Sequence, residues 1–291
     1  MTDAQTSIAT VGQLITLLQL EPRGVDQFQG ASEDIGTGRV FGGQVLGQAL
    51  VAACRTATSP IHSLHAYFLL PGDHHQPIDY LVERVRDGRS FATRRVVAQQ
   101  KGRTIFTMMA SFHAPEAGSF SHQHGMPPAP PPEGLQNETA LRQAQAHQLP
   151  AGWRGEKLPP IEYRVVDPVD LLHPVPRPAD IQLWLRACAA LPDDPVMHRA
   201  LLAYASDHGL LRAALLPHGL SFMQPAMRGA SLDHAMWFHR DFRIDDWLLY
   251  CIDSPSAGGA RALCRGEIYT RDGQLAVSVA QEGMLRVATP R

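Results

Sequence analysis

Apolar residues recur at helical spacing in three places along the chain, which predicts three amphipathic helices. Near the start they fall on one face, at Val11, Leu14, Ile15 and Leu18. A second apolar face follows a pair of glycines, at Val45, Leu46, Ala49, Leu50 and Ala53. A third lies in the second half of the chain, at Leu210, Leu211, Ala214 and Leu215. We expect each helix to bury this face against the rest of the fold.

After the second and third helices the pattern changes to the alternation of half-buried strands. Two pairs of such strands are joined by short turns that contain glycine, in RRVVAQQ-KGRT-IFTMMASF and ALCRGEIYT-RDG-QLAVSVAQEG. A long apolar helix followed by an antiparallel meander is an α+β unit in which the sheet wraps around the helix. This architecture is the hotdog fold.

The two halves of the chain repeat each other at an offset of about 170 residues, which is the separation of the matching Arg95 and Arg265. The other matches are His65-Ala66 with His234-Ala235 and Lys101-Gly102 with Asp272-Gly273. Because the order of the elements agrees as well, a duplication explains the pattern better than chance. The sequence therefore predicts an α+β double hotdog, in which each of two tandem repeats is an antiparallel sheet wrapped around a long helix.

Proline and glycine accumulate between the halves, in APEAGSFSHQHGMPPAPPPEG from Ala114 to Gly134. These residues cannot sustain a helix or a central strand, so the segment is predicted to be a linker. We expect an N-terminal hotdog repeat at residues 1–113, a proline-rich linker at 114–165, and a C-terminal repeat with the catalytic residues at 166–291.

Composition and charge narrow the function only slightly. The formal charge is −2, from 26 basic and 28 acidic residues, and nothing in it suggests a nucleic-acid partner. No stretch approaches the roughly 20 apolar residues of a membrane span, and no basic leader precedes an apolar run at the N-terminus. The four cysteines are widely spaced, in no zinc or disulfide pattern. We expect a cytoplasmic protein without stable membrane insertion.

The segment SLDHAMWFHR, from Ser231 to Arg240, places two histidines and a carboxylate close together. Strand alternation sends His234 to one face and His239 to the other, which argues against a metal ion shared by the two. We interpret the segment as structural or interfacial, with Ser231 at its edge as its functional residue.

Several longer motifs together resemble the acyl-CoA thioesterase II family, from about Thr10 to Arg286. They include GRVFGGQVLGQAL, HSLHAYFLLPGD, YASDHGLL, SLDHAMWFHR, RGEIYTRDGQL and AQEGMLR. The resemblance implies hydrolysis of medium- to long-chain fatty acyl-CoA thioesters without a metal or an organic cofactor. In that family an Asp, a Ser or Thr, and a Gln of the second hotdog orient the attacking water. The matching positions here are Asp207, Ser231 and Gln281.

The residues alone leave alternatives open at each position. Asp207 precedes HGLLRAALLP and could simply cap the N-terminus of the third predicted helix. Ser231 could be an ordinary serine at the entry to a strand, and no GxSxG nucleophile elbow is present. Gln281 shares a strand face with Val277 and Val279, where a buried amide needs a partner, or it reaches solvent at the strand end.

The first half lacks a matching carboxylate. Aligning the predicted helices sets Gly42 and Gly43 opposite Ser206-Asp207-His208, which predicts one active site per chain. The two glycines could form a tight turn before a helix. Alternatively, they allow backbone N–H groups to approach the thioester oxygen or CoA.

Two other functions fit parts of the pattern. A hotdog enoyl-CoA hydratase also uses an Asp and a His near a helix start, as in Asp207-His208. A non-catalytic acyl-CoA sensor would need an effector module, and none is evident outside the two halves. The favoured prediction is an enzyme whose partner is an acyl-CoA substrate. The resemblance and the expected sheet edges also predict a homodimer or homotetramer.

Overall fold

The structure is a computed structural model that describes residues 10–36, 38–149 and 159–288. Its strands form one antiparallel sheet. The strands are β1 (Glu21–Gly24), β2 (Gln27–Gly30), β3 (Ile61–Phe68), β4 (Ile78–Asp87), β5 (Phe91–Gln100), β6 (Arg103–His113), β7 (Ile161–Val165), β8 (Asp180–Ala187), β9 (Met227–Ser231), β10 (Asp233–Phe238), β11 (Leu248–Gly258), β12 (Arg261–Thr270) and β13 (Leu275–Val287).

Four α-helices and two 3-10 helices accompany the sheet in the part of the chain that is described. The α-helices are α1 (Val11–Leu18), α2 (Gly42–Cys54), α3 (Glu138–Ala144) and α4 (Pro195–Ser206). The 3-10 helices are Pro132–Gly134 and Leu210–His218. None of these described helices has the length and apolar character that crossing a bilayer requires.

The strand order shows two copies of the same sheet joined edge to edge. The order is β1-β2-β4-β5-β6-β3-β10-β13-β12-β11-β8-β7, and β9 also pairs with β13. The two copies meet where β3 pairs with β10, with Ala66 opposite His234 and His65 opposite Ala235. The order β4-β5-β6-β3 in the first half is mirrored by β11-β12-β13-β10 in the second. The predicted α+β double hotdog is confirmed.

The first two predicted helices are confirmed as α1 and α2, but the third was placed wrongly. The long helix of the second half is α4, which lies before Asp207 and begins with Asp194 as its N-cap and Pro195 in its first turn. The predicted segment Leu210–His218 is instead a 3-10 helix. Gly209, at φ 79°, ends the α-helical path, and Pro217 interrupts the segment. The apolar spacing correctly predicted that these residues are buried, but not the type of helix that they form.

The two long helices pack against each other with very little room between their backbones. A Cβ added at Gly43 would lie 2.4 Å from the carbonyl oxygen of Tyr204, and one at Gly47 would lie 3.0 Å from that of Ala200. Residues early in α2 therefore contact residues late in α4, so the helices run antiparallel. This arrangement brings the N-terminus of α2 to the C-terminus of α4.

The range expected to be a linker contains regular structure and contacts the second half of the sheet. The side-chain amide of Gln123 donates to the Gly273 carbonyl oxygen at 2.8 Å. The indole N–H of Trp184 donates to the carbonyl oxygen of Pro130 at 2.9 Å. At its end, β7 pairs with β8 as part of the sheet. The domain boundaries stay a prediction, and residues 150–158 lie outside the described ranges.

We expect Gly43→Ala to lower the free energy of unfolding by about 1–3 kcal/mol, because the added methyl group overlaps a backbone oxygen that cannot move freely. Helix propensity alone predicts a gain of up to about 1 kcal/mol. The matched control is Gly12→Ala in α1, where the nearest atom to an added Cβ is 3.9 Å away. Urea unfolding of both variants tests this, and a Gly43→Ala variant as stable as Gly12→Ala would contradict the packing described.

Candidate active site

The three predicted site residues lie together, although they come from three separate elements. Asp207 follows α4, Ser231 ends β9, and Gln281 lies within β13. The Ser231 hydroxyl donates to Asp207 Oδ1 at 3.2 Å, and the Gln281 side-chain amide donates to the same oxygen at 3.0 Å. The amide of Gln281 also lies within hydrogen-bond distance of Ser231 Oγ, at 2.5 Å. Each side chain of the cluster therefore contacts the other two.

Strand pairing explains why Ser231 and Gln281 meet. Both β9 and β10 pair with β13, with Ser231 opposite Gly283 and Ala235 opposite Ala280. Because β13 changes its partner from β10 to β9 between Ala280 and Gly283, Ser231 lies beside Gln281. The predicted inward face of β13 is confirmed, since Val277, Val279 and Gln281 are all buried. The alternative that Gln281 reaches solvent at a strand end is wrong.

Asp207 is the C-cap of α4 and not the N-cap of the helix that follows. The C-terminus of a helix carries partial negative charge, so a carboxylate there needs donors from elsewhere. Ser231 and Gln281 supply two of these donors. The N-cap alternative is therefore wrong, because the residues after Asp207 form no α-helix and the N-cap of α4 is Asp194.

Gly42 and Gly43 are neighbours of Asp207 in space and not its counterparts in the repeat. A Cβ added at Gly42 would lie 2.7 Å from Asp207 Oδ2, so the absence of a side chain lets α2 approach the carboxylate. Phe41, the N-cap residue of α2, makes no side-chain capping bond. The first turn of α2 therefore brings partial positive charge to the cluster. The sequence alignment of Gly42-Gly43 with Ser206-Asp207-His208 was wrong because the counterpart of α2 is α4, so the glycines begin their helix whereas Asp207 follows the end of its own.

His234 contacts the cluster although the sequence interpretation gave it no role there. Its Nδ1 lies 2.8 Å from Gln281 Oε1, and its Nε2 lies 3.0 Å from Ser206 Oγ. The imidazole is fully buried, and burial lowers its pKa, against the raising effects of Asp207 and of the bond to Gln281. The predicted alternation is confirmed, with His234 inside and His239 exposed. The alternation did not say which of the two histidines faces inward, and only the strand register shows that His234 meets Gln281.

The cluster opens onto a cavity of about 430 Å³. Asp207, Ser231 and Gln281 all contribute to its lining. Much of the remaining wall is apolar, from residues that include Leu141, Val165, Leu211, Leu215, Leu216 and Phe222. Such a combination of a few convergent polar groups with a largely apolar wall is typical of a site for an amphipathic small molecule.

Within the described ranges, no group of three or more His, Cys, Asp or Glu side chains is arranged to hold a metal ion.

Comparison with known proteins identifies the family. A family model for acyl-CoA thioesterase matches residues 160–284, and a model for the acyl-CoA thioesterase N-terminal domain matches residues 31–113. Acyl-CoA thioesterase 2 of Haemophilus influenzae is 41% identical, over 95% of this chain and 98% of its own. Acyl-coenzyme A thioesterase 8 of mouse is also 41% identical, over 94% of this chain and 88% of its own. The chain belongs to the acyl-CoA thioesterase family.

A solved structure of this family has the same fold. The acyl-CoA thioesterase II TesB2 from Mycobacterium marinum superimposes with a TM-score of 0.78 at 45% identity, over 95% of this chain and 99% of that one. The family, the fold and the enzyme class predicted from the sequence are thus confirmed.

In this thioesterase, the equivalent place in the first half is filled by different residues. Cys264 pairs with Gln281 between β12 and β13, and Arg94 pairs with Ala110 between the equivalent strands β5 and β6. The buried Arg94 guanidinium donates to the Thr56 carbonyl oxygen at 2.8 Å and to Asp87 Oδ1 at 2.5 Å. An alanine stands where the second half has Gln281, and an arginine with structural hydrogen bonds occupies the neighbouring space.

One wall of the thioesterase cavity comes from α3, within the expected linker. Glu138 of α3 is buried and accepts hydrogen bonds from Arg142, Arg212 and His208, the last at 3.0 Å. Burial alone would raise the pKa of Glu138. The charge of Arg212, joined by His208 and Arg142, outweighs burial and holds the pKa well below its ordinary value. Because His208 follows Asp207 directly, this network ties the linker helix to the site.

We expect the stability of the enzyme to fall as the pH drops from about 6.5 toward 5. Burial lowers the pKa of His198 and of His234 in the folded protein. Below the unfolded value of about 6.5 the unfolded chain takes up protons that the folded chain does not, so unfolding becomes easier. Each histidine contributes at most about 1.4 kcal/mol per pH unit, and the contribution is fully present above about 6.5.

Urea unfolding at pH 7.5, 6.5 and 5.5 measures this dependence. The Nδ1 of His198 accepts the Ile244 N–H at 3.2 Å, and Asn can offer its side-chain oxygen there without titrating. His198→Asn should therefore reduce the slope of stability against pH by up to one proton. An unchanged slope in that variant would show that His198 does not stay neutral in the folded protein.

Proposed function

We propose that the protein hydrolyses medium- to long-chain fatty acyl-CoA thioesters by a water molecule that Asp207 activates and that Ser231 and Gln281 position. The observation that carries this proposal is the cluster itself. One carboxylate, one hydroxyl and one amide are hydrogen-bonded to each other in the lining of a largely apolar cavity. The polar cluster suits the thioester group of such a substrate, and the apolar wall suits its acyl chain.

The proposed reaction needs Asp207 to accept one proton and then release it, and no covalent enzyme intermediate forms. Asp207 removes a proton from the water as its oxygen attacks the thioester carbonyl carbon, which forms a tetrahedral intermediate. The intermediate collapses as the carbon–sulfur bond breaks, which releases the fatty acid and the CoA thiolate, and transfer of the proton from Asp207 to the thiolate or to water restores the carboxylate. Ser231 and Gln281, which are hydrogen-bonded to the carboxylate, are the donor and acceptor groups that hold the water.

The developing negative charge on the carbonyl oxygen needs donors that are already in place. The first turn of α2, with Gly42 and Gly43, is a helix N-terminus that lies beside Asp207 and lacks a side-chain cap. We assign the two glycines to substrate binding at this point. A site built this way draws its base from the second repeat and its oxyanion donors from the first.

The two alternative functions have less support from the geometry. In the hydratase alternative His208 would act beside Asp207, but its Nε2 is bonded to Glu138 at 3.0 Å and its ring stacks on Tyr163. His208 is therefore already hydrogen-bonded to α3, the helix within the expected linker. The sensor alternative gives no reason for a carboxylate–hydroxyl–amide cluster in the lining of the cavity.

The cellular setting belongs to the same proposal. We infer a cytoplasmic enzyme, in line with a bacterial relative that matches over nearly its whole length. We also infer a homodimer or homotetramer. The outer face of β3 and β6 leaves apolar side chains in solvent, with Tyr67 58% and Met109 40% exposed, and such a face favours association between chains.

The first experiment is the release of free thiol from palmitoyl-CoA and decanoyl-CoA by the wild type and by Asp207→Asn and Asp207→Ala. We expect both variants to lose at least a hundredfold in kcat, because the base is removed while the cavity stays intact. Asp241→Asn is the matched control, since that carboxylate lies on the surface in an ion pair with Arg199. Circular dichroism and thermal unfolding check that each variant is folded.

The outcomes separate the alternatives. A wild type that releases no thiol, but hydrates enoyl-CoA in a parallel absorbance assay, would replace the proposal by the hydratase. Full activity in a folded Asp207→Ala variant would remove Asp207 from the mechanism.

We expect Leu216→Trp to shift the preference toward shorter acyl chains. Leu216 is buried in the cavity wall, and a larger side chain there occupies space that an extended chain would fill. The value of kcat/KM for palmitoyl-CoA should fall about tenfold relative to that for hexanoyl-CoA, which corresponds to about 1.4 kcal/mol of transition-state binding. Equal losses for both substrates would indicate that the acyl chain does not run along this wall.

A further inference from the structure

We propose that His234 is a positioning residue for the hydrolysis, and that its Nδ1–H fixes the orientation of the Gln281 side chain so that the amide nitrogen faces Asp207. This inference rests on the proposed function. It concerns a residue that the sequence interpretation placed in a structural segment.

The chemistry of the contacts sets the orientation of the Gln281 amide. A carboxylate can only accept hydrogen bonds, so the group of Gln281 that faces Asp207 must be the NH₂. That leaves Oε1 on the other side, 2.8 Å from Nδ1 of His234. An amide oxygen can only accept, so Nδ1 must carry the hydrogen. The reverse orientation would place an amide oxygen against a carboxylate and an NH₂ group against an N–H.

The second ring nitrogen has a partner that fits the tautomer with its hydrogen on Nδ1. Nε2 of His234 lies 3.0 Å from the hydroxyl of Ser206. That hydroxyl has one hydrogen and also lies 3.1 Å from the Ala203 carbonyl oxygen, so it satisfies the imidazole when the hydrogen points to Nε2. Burial favours the neutral imidazole. A neutral ring that accepts at Nε2 must donate at Nδ1.

These contacts form a closed ring of buried side chains. It runs from Ser206 to His234, on to Gln281 and then to Asp207, which is the residue next to Ser206 in the chain. Ser206, His234 and Gln281 are each at most 1% exposed. Because water cannot replace a lost partner at such depth, the orientation of the amide depends on the imidazole.

The first repeat shows that the fold itself does not require this pair. Counting from the hairpin registers, the positions equivalent to His234 and Gln281 are Leu64 and Ala110, which pair with each other between β3 and β6. The match of His234 with His65 made from the sequence was therefore wrong by one residue, because it aligned a buried position with an exposed one. The same backbone arrangement is thus built with two apolar side chains. A buried imidazole is more costly than a leucine unless it is matched, so its presence beside Gln281 points to the site and not to the core.

Three substitutions of His234 separate positioning from packing. His234→Asn keeps an N–H close to the place of Nδ1, His234→Gln places its N–H close to Nε2, and His234→Leu introduces the residue of the first repeat. With palmitoyl-CoA we expect His234→Leu and His234→Gln to lose at least thirtyfold in kcat with KM changed less than threefold. His234→Asn should recover at least tenfold of that loss. Thermal unfolding of each variant checks that it is folded.

A double-mutant cycle tests the route through Gln281. If His234 acts only by orienting that amide, His234→Leu should cost less than threefold in kcat once Gln281 is already Ala. Losses that multiply in the double variant, or equal losses in His234→Asn and His234→Gln, would overturn the proposal. If His234→Leu does not fold, the comparison of Asn with Gln still decides.

The same experiment distinguishes this inference from the proposed function. A wild type without thioesterase activity removes both. Activity that depends on Asp207 but is unaffected in His234→Leu removes only the positioning role of His234.

Discussion

The pairing of β3 with β10 is the interaction on which the rest of the structure depends. It joins two half-sheets into one and sets Ser63–Tyr67 against Asp233–Trp237. The helices that the two half-sheets wrap are thereby held antiparallel, with Gly43 and Gly47 allowing their backbones to touch. The consequence is chemical, because the positive end of α2 arrives at the carboxylate that ends α4. Neither repeat alone could bring these groups together.

Around that carboxylate the interior is polar in an otherwise apolar core. Each buried polar group that is left unpaired costs about 1–3 kcal/mol, so such a cluster persists only when its hydrogen bonds are complete. Ser206, His234 and Gln281 satisfy one another and Asp207 in turn. In the first repeat, Arg94 satisfies the Thr56 carbonyl oxygen at the equivalent location. The duplicated fold thus places a polar cluster that lines a cavity in one repeat and a structural arginine in the other.

The segment between the repeats contributes both to packing on the second half-sheet and to the cavity wall. Its proline-rich part lies against the second half-sheet, where Trp184 and Leu275 bond to it. Its helix α3 contributes Glu138 to a network of two arginines and His208, and that network forms a wall of the cavity. A connection that only spanned the distance between repeats would need none of these contacts.

The sequence by itself determined the repeat, the fold class and the family, and it predicted the three residues that meet in the candidate site. Strand alternation and family motifs are local properties of the chain, and the structure keeps them at Val277, Val279 and Gln281. The sequence placed the long helix of the second half at Leu210 instead of Pro195–Ser206. Helical periodicity is shared by α-helices and by buried 3-10 segments, so spacing alone could not distinguish them.

Tertiary structure decided everything that depends on two distant segments meeting. Whether Asp207 begins or ends a helix, whether Gly42 is its counterpart or its neighbour, and whether His234 reaches Gln281 all follow from helix direction and strand register. These are fixed by the packing of one half against the other. The sequence specifies the chemical groups of each residue. Only the folded chain brings those groups within the roughly 3 Å over which hydrogen bonds form.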